Sequence, residues 1–431
     1  MTRVVVTGIG MVTAAGTSVD ACWQTLLRGE SRVGRVTLWD PTGMASHIAA
    51  EVPEMPEVPA QVGPYAIGGR PLTYAMSAVL EAMNQADVAS CDVPPGRRAV
   101  VAAGGFDDLM LEFLAAAADK ITESGRSDFE DITEDDLARQ FDDPALTERM
   151  DRYSQVVLMQ AVAHAMGARQ AFTVSTACAG GSQALGDALG LLRRGEADMA
   201  LAVGVDTLIT REMMGGFCNL TALSTRNDEP TRASRPFDAD RDGFVMGEGA
   251  AALVLEREDV AKARGATILA ELAGIGYSGD AYSLTAPHPS GEGMALSMQR
   301  AIDDAGVAPA AISYVNAHGT STAANDKAET AAIKQVLGAQ ASRVALSGTK
   351  SMIGHLVHGA GAVGSVVAVK SIMEQRVHPT ANYETPDPEC DLDYTPGAPR
   401  TLDIDGVLVN AFGFGGQNAG VVLRRYRDPA A

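Results

Sequence analysis

Three residues able to act as nucleophile or proton carrier stand at similar places in the sequence. Cys178, in "VSTACAGGSQALGDALGLL", follows an apolar run and precedes a helical pattern. His318, in "NAHGTSTAAND", and His355, in "GTKSMIGHLVHGAGAVG", also fall at glycine-flanked junctions between apolar and helical stretches. Beyond Cys178, the residues Leu185, Leu189 and Leu192 recur at helical spacing, and Arg193, Arg194 and Gly195 form a stop. Cys178 is therefore expected at a helix N-terminus, where unpaired N–H groups and the macrodipole favour an anion and lower a thiol's pKa. Ala177, Ala179, Gly180 and Gly181 leave room for another backbone or a substrate. Taken alone, the stretch fits a buried inert cysteine as well as a nucleophile. A thiolate with two imidazoles converging on it suggests acyl transfer through a thioester.

Other stretches are open to two readings. "NAFGFGGQNAG" is either a tight turn under the last strands or a loop offering an N–H to an oxyanion, with Phe412 and Phe414 beside it. The glycines of "TGIGMVTAAG" (Gly8, Gly10, Gly16) miss the dinucleotide spacing, and no acidic residue ends a second strand about 20 residues on. A tight strand-to-helix turn is the simpler account of them.

Something must hold these junctions together. Short apolar runs bounded by glycine ("RVVVTGI", "RAVVAAGG", "MALAVGVD", "AAALVLE") alternate with helical patterns, and a second series ("ISYVNAHG", "RVALSGTK", "DGVLVNAF", "AGVVLRR") repeats the arrangement. Near-continuous Val, Ala and Leu runs predict strands covered on both faces, an α/β class. The Cys178 unit and the His355 unit echo each other as strand, polar turn and small-residue helix. This predicts two related halves, residues 1–256 and 257–431, joined around 257–266. Residues 119–152 interrupt the first half with 12 acidic and 5 basic side chains. They read as a solvated insertion or as a lid or docking arm.

Composition narrows the class. A net charge of −20 over 431 residues argues against nucleic-acid binding. The five cysteines are odd in number and widely spaced, without Cys/His metal spacing, which fits a reducing cytoplasm rather than a disulfide framework. "MTRVVVTGIG" reads as a core strand rather than a signal peptide, and no run of 18 apolar residues predicts a membrane span.

Together, "VVVTGIGMVTAAG", "STAC", "LSTRNDEPTRASRPFDADRDGFVMGEGAAALVLE", "NAHGTSTAAND", "KSMIGH" and "FGFGG" resemble the β-ketoacyl-acyl carrier protein synthases of the synthase II type and the type II polyketide ketosynthases. The resemblance runs along nearly the whole chain. It implies the thiolase fold, two βαβαβαββ halves in a five-layer αβαβα arrangement, working as a homodimer or as a heterodimer with a chain-length-factor-like homologue. Cys178 matches the acyl-accepting nucleophile, and His318 and His355 match the pair that promotes malonyl decarboxylation. Lys350 matches the family's lysine, and Asp326 and Glu329 its supporting acidic network. Thr320 and Thr322 match the hydroxyls that hold the phosphopantetheine arm, and the N–H groups of Cys178 and Phe414 match the oxyanion hole, with Phe414 as gate. Arg226 matches a basic position near the docking face for an acidic acyl carrier protein. No metal or other cofactor is implied, because the substrates travel on the carrier's phosphopantetheine.

Three positions depart from the pattern. Gly364 stands where the family usually has a glutamate, which would leave Lys350 without its ion-pair partner. His358 replaces a glycine, and Gln417 a common threonine. These changes, with the acidic insertion, suggest a specialised synthase. Two rival readings are a thiolase working on CoA thioesters and a non-catalytic chain-length partner. A thiolase needs a second cysteine in the C-terminal glycine-rich motif, and Cys390 lies about 20 residues too early. A chain-length partner lacks the nucleophile that Cys178 supplies.

Overall fold

Because the apolar runs have no polar alternation, their strands need cover on both faces, and the fold provides it. The structure is a computed structural model describing residues 2–104 and 155–428, so the acidic stretch 119–152 lies outside the described residues. Ten strands form the main sheet: β1 (Val4–Thr13), β2 (Arg98–Gly104), β3 (Gln170–Val174), β4 (Met199–Asp206), β5 (Gly249–Arg257), β6 (Ala270–Gly279), β7 (Ile312–Asn316), β8 (Ala345–Ser347), β9 (Gly406–Gly413) and β10 (Gln417–Arg424). Their spatial order is β8-β7-β9-β10-β6-β1-β5-β4-β2-β3. Outward from the centre, each half runs through two antiparallel pairings and then two parallel ones. Among the described strands, the two halves of the sheet join where Val5 and Val6 of β1 pair with Glu271 and Ala270 of β6.

Six helices complete the layers: α1 (Gly69–Gln85), α2 (Gln155–Met166), α3 (Gly180–Arg193), α4 (Glu292–Ala305), α5 (Ala323–Leu337) and α6 (Ala360–Glu374). α1 and α2 cover the outer face of the first half, while α4 covers β6 and β10 of the second, with α5 against α4. α3 and α6 pack on each other between the two halves of the sheet. β4 shows the consequence: Ala200 and Ala202 face the central layer, whereas Leu201, Val203 and Val205 face α1 and α2. Burying each such aliphatic side chain contributes about 1.5–3 kcal/mol.

Small residues bring the central helices together at their N-termini. A Cβ at Gly181 would lie 2.6 Å from the nitrogen of Ala362, and one at Gly361 would lie 2.3 Å from Ser182 Oγ. This crossing delivers the Cys178 turn and the His355 turn to one place. The early glycines have a different reason from the one the sequence suggests. A Cβ at Gly8 or Gly10 would lie 2.0 or 1.9 Å from the carbonyl oxygens of Ala82 and Ala78. These two glycines let α1 lie directly on β1; only Gly16 closes a turn, with Thr13.

Candidate active site

Cys178 lies in a single 3-10 turn, Ala177–Ala179, that feeds into α3. Ala177 before it has φ +44°, a left-handed conformation that costs a non-glycine residue on the order of 1–2 kcal/mol. The turn faces a cavity of about 530 Å³, yet Cys178 itself is only 7% exposed. Burial corrects the expectation of a lowered thiol pKa: it pushes Cys178 up to about 11, against the opposing pull of Lys350 and of the N–H groups of Phe414 and Cys178. At neutral pH the resting group is a thiol.

His355 Nε2 lies 3.1 Å from Cys178 Sγ. The other ring nitrogen, Nδ1, accepts the Val357 N–H at 3.2 Å, so the neutral imidazole carries its proton on Nε2, facing the sulfur. The backbone of His355 is clamped by the "FVMGEG" segment: its N–H donates to Val245 O at 2.7 Å and its carbonyl accepts from Gly247 N at 3.0 Å. His318 meets His355 edge to face, with ring centroids 5.3 Å apart, and Phe412 packs on its other side at 5.6 Å. Burial, followed by the charge of Lys350, holds both imidazoles well below the ordinary histidine range. Both are therefore neutral N–H donors at pH 7, suited to an enolate oxygen. A sulfur and two ring nitrogens of this triad lie within 4.8 Å of one another, close enough to share a soft cation.

The loop after β7 is fixed by buried charge. Lys350 Nζ donates to the His318 carbonyl. Glu329 accepts the N–H groups of His318 and Gly319, both at 2.8 Å, and the Asn410 amide at 2.9 Å. Asp326 accepts from Thr320 N at 3.1 Å and Phe237 N at 2.7 Å, with Arg241 Nε 3.8 Å away. Burial pushes both carboxyls up. It also pulls Lys350 down to about 8, opposed chiefly by Glu329. Lys350 Nζ is thus held by a carbonyl rather than by a carboxylate, in keeping with the glycine at position 364, and Glu329 is the charge that most favours its ammonium form. A Cβ at Gly364 would lie 2.7 Å from Asn316 Oδ1, so this helix position packs on β7 and has no room for a larger side chain.

Thr320 and Thr322 line the cavity with their hydroxyls 2.9 Å apart. Phe414 lines it as well, and Phe217, Phe244 and His355 continue an aromatic run from it at centroid spacings of 6.2, 5.3 and 5.5 Å. Gly413 lets its strand end lie close to the nucleophile turn: a Cβ there would lie 3.2 Å from Cys178 N. Arg226 is not among the lining residues. Its guanidinium donates to Asp240 O at 2.7 Å and lies 3.8 Å from Asp242. Gln417 opens β10 at an exposed position. Sequence reading passed over Arg241, which also donates to the carbonyls of Thr322 and Ala323 and so fixes the threonine turn. The only available signal was the density of charge in "DADRDGF".

Family models for the beta-ketoacyl synthase N-terminal domain and C-terminal domain match residues 1–261 and 269–384. The chain is 39% identical to a 3-oxoacyl-[acyl-carrier-protein] synthase 2 of Synechocystis sp., covering 99% of this chain and 98% of that one. It is 40% identical to a putative polyketide beta-ketoacyl synthase 1 of Streptomyces cyaneus, over 98% and 97% of the two chains. Among solved structures, it superposes with TM-score 0.85 on a type II polyketide ketosynthase in complex with its acyl carrier protein, at 34% identity over 99% of this chain and 100% of that one. The ishigamide ketosynthase/chain length factor follows at TM-score 0.83, also at 34% identity over 99% and 100%. The fold is the thiolase fold, and the chain belongs to the β-ketoacyl synthase family.

Proposed function

We propose that the chain condenses a Cys178-bound acyl group with malonyl-acyl carrier protein, releasing CO2 and a β-ketoacyl-carrier protein. The observation that carries this reading is the 3.1 Å approach of His355 Nε2 to Cys178 Sγ, with His318 beside it. In the first half-reaction the sulfur attacks the carrier's acyl thioester, and the carrier leaves as its thiol. In the second, malonyl thioester loses CO2, and the enolate oxygen accepts N–H donors from His318 and His355. The enolate carbon attacks the Cys178 thioester. The tetrahedral oxyanion accepts the N–H groups of Cys178 and Phe414, and collapse expels the Cys178 thiolate. A soft cation on the triad would block this sequence by occupying the sulfur that must carry the acyl group.

In this reading residues 1–256 bring the nucleophile and residues 257–431 the imidazoles. Thr320 and Thr322 hold the pantetheine arm, Asp326 and Glu329 hold the loop that carries His318, and Arg226 meets the acidic carrier. The partner at the dimer interface is a second copy or a chain-length-factor-like homologue, and the pathway is a specialised fatty-acid or polyketide one. Intact-protein mass spectrometry after incubation with acyl-carrier proteins tests the core of it. An acyl adduct on Cys178 that malonyl-carrier protein discharges as β-ketoacyl product is the expected result. No adduct, either alone or with a neighbouring homologue, would overturn the assignment.

A further inference from the structure

Behind the residues that face the cavity lies a second cluster of polar side chains, drawn from three segments. Tyr314 and Asn316 stand on β7, Ser347 ends β8 with Thr349 just after it, and His378 lies in the chain that leaves α6. β7 and β8 run parallel, with Asn316 opposite Ser347. All five side chains are buried, and they stand outside the lining of the cavity.

Their hydrogen bonds close into a ring whose direction is fixed. His378 Nδ1 lies 2.9 Å from Pro379 O, which can only accept, so Nδ1 carries the proton. Burial pulls the imidazole down to about 4, so at pH 7 it is neutral and Nε2 offers a lone pair. That lone pair accepts Thr349 Oγ1 at 3.0 Å and Ser347 Oγ at 3.2 Å. Having given their protons to His378, both hydroxyls must accept on their other side. Thr349 Oγ1 accepts from Asn316 Nδ2 at 2.8 Å, and Ser347 Oγ accepts from Tyr314 OH at 2.6 Å. Tyr314 OH in turn accepts the second Asn316 N–H at 3.0 Å. Two proton-ordered branches thus start at one amide and end at one imidazole nitrogen.

The branches are tied to the segments that carry the site. His318 follows Asn316 by two residues, and the Ala317 N–H between them donates to Ser347 O at 3.0 Å. Lys350 follows Thr349 and opens the short helix Lys350–Ile353 that leads to His355, while its Nζ donates to the His318 carbonyl. Cys178 belongs to the other half of the chain.

We propose that His378 is a positioning residue for the decarboxylating half-reaction, its acceptor nitrogen setting the spacing of the His318 and Lys350–His355 segments. The inference rests on the condensing reaction proposed above. An apolar side chain at 378 would leave two buried hydroxyls without their acceptor and release the order of both branches. The two imidazoles would then meet the enolate oxygen off their best geometry. Loading of Cys178 relies on its own turn and N–H donors, so it should be spared.

The test separates the two half-reactions in the full chain. Loading of Cys178 from hexanoyl-carrier protein and conversion of malonyl- to acetyl-carrier protein with release of CO2 are both followed by mass spectrometry. His378→Leu is expected to lower kcat for decarboxylation about tenfold, with KM for malonyl-carrier protein and the loading rate unchanged. His378→Gln, whose amide oxygen can stand in for Nε2, should recover most of the lost rate. Melting transitions establish which variants fold. If the leucine variant does not, Tyr314→Phe and Thr349→Val each remove one branch, and each should slow decarboxylation more than loading. Folded variants that keep the parent's kcat, or lose both half-reactions in proportion, overturn the positioning role alone. A glutamine variant no better than the leucine one overturns it too. Absence of a Cys178 adduct in the parent overturns the condensing reading and this inference with it.

Discussion

The turn that carries Cys178 is held by little besides its own backbone, whereas the loop that carries His318 is held by buried charge. Around Cys178 the neighbours are alanine and glycine, and the turn closes through Ala179 N to Thr176 O at 3.0 Å. Around His318, Glu329, Asp326 and Lys350 tie down the backbone on both sides of the ring. A nucleophile that must accept an acyl chain needs open space and close approach. Two imidazoles that must meet a transient oxyanion need fixed positions, and fixed positions need partners. The two regions should therefore fail differently: the first should lose chemistry and keep its fold, while the second should lose both.

The largest effect sharpens the first half of that contrast. Cys178→Ala is expected to abolish condensation, a loss of about 10³-fold or more. Its unfolding free energy should change by only about 1 kcal/mol, because one small buried atom is removed without orphaning a backbone group. Malonyl decarboxylation should persist at a measurable level, since both imidazoles remain. Undiminished β-ketoacyl production by the variant would break the assignment of the nucleophile.

Glu329→Ala tests the other half. It strips the acceptor from two backbone N–H groups and the Asn410 amide and leaves buried Lys350 without its main counter-charge. Breaking a buried charged network this way costs about 3–5 kcal/mol, readable by urea denaturation, together with a loss of activity of about 10²-fold. A variant as stable as the parent would show that the loop is held by packing rather than by charge.

Which of these features could be read from the residues follows from their range. Strand and helix junctions were legible because the apolar runs and glycines are local signals, and that placed Cys178, His318 and His355 at turns before any coordinates. Their convergence followed from the echo between the two halves. What escaped was set by residues distant in sequence. Gly8 and Gly10 look like turn glycines until α1 is seen lying on them. Gly364 looks only like a missing glutamate until Asn316 Oδ1 and Val409 are found where its side chain would go.

Gly364→Glu turns that last point into a measurement. If the glycine merely lacked a partner for Lys350, restoring the family's glutamate would stabilise the protein. The close approach of Asn316 Oδ1 and Val409 predicts overpacking instead, destabilising by about 1–3 kcal/mol. A rise in melting temperature would contradict this and return Lys350 to the ion-pair account.

The titration of Cys178 divides the helix-terminus effect from burial. A thiol governed by the N-terminus of α3 would alkylate with a midpoint below the ordinary value, whereas burial places the midpoint near 11. The rate of iodoacetamide modification at Cys178, followed by mass spectrometry, should therefore keep rising beyond pH 9. Lys350 is the largest influence acting in the other direction, and its own pKa is drawn down to about 8. The rise should accordingly become shallower above pH 8, as the ammonium loses its proton and ceases to favour the thiolate. Lys350→Met removes that cation at every pH, raising the thiol's midpoint and slowing modification at pH 7 by about tenfold, the equivalent of one pKa unit. The break at pH 8 should vanish with it. A midpoint below 7 in the parent would instead show that backbone dipoles outweigh burial at this turn, and the contrast between an uncharged nucleophile turn and a charged histidine loop would lose its physical basis.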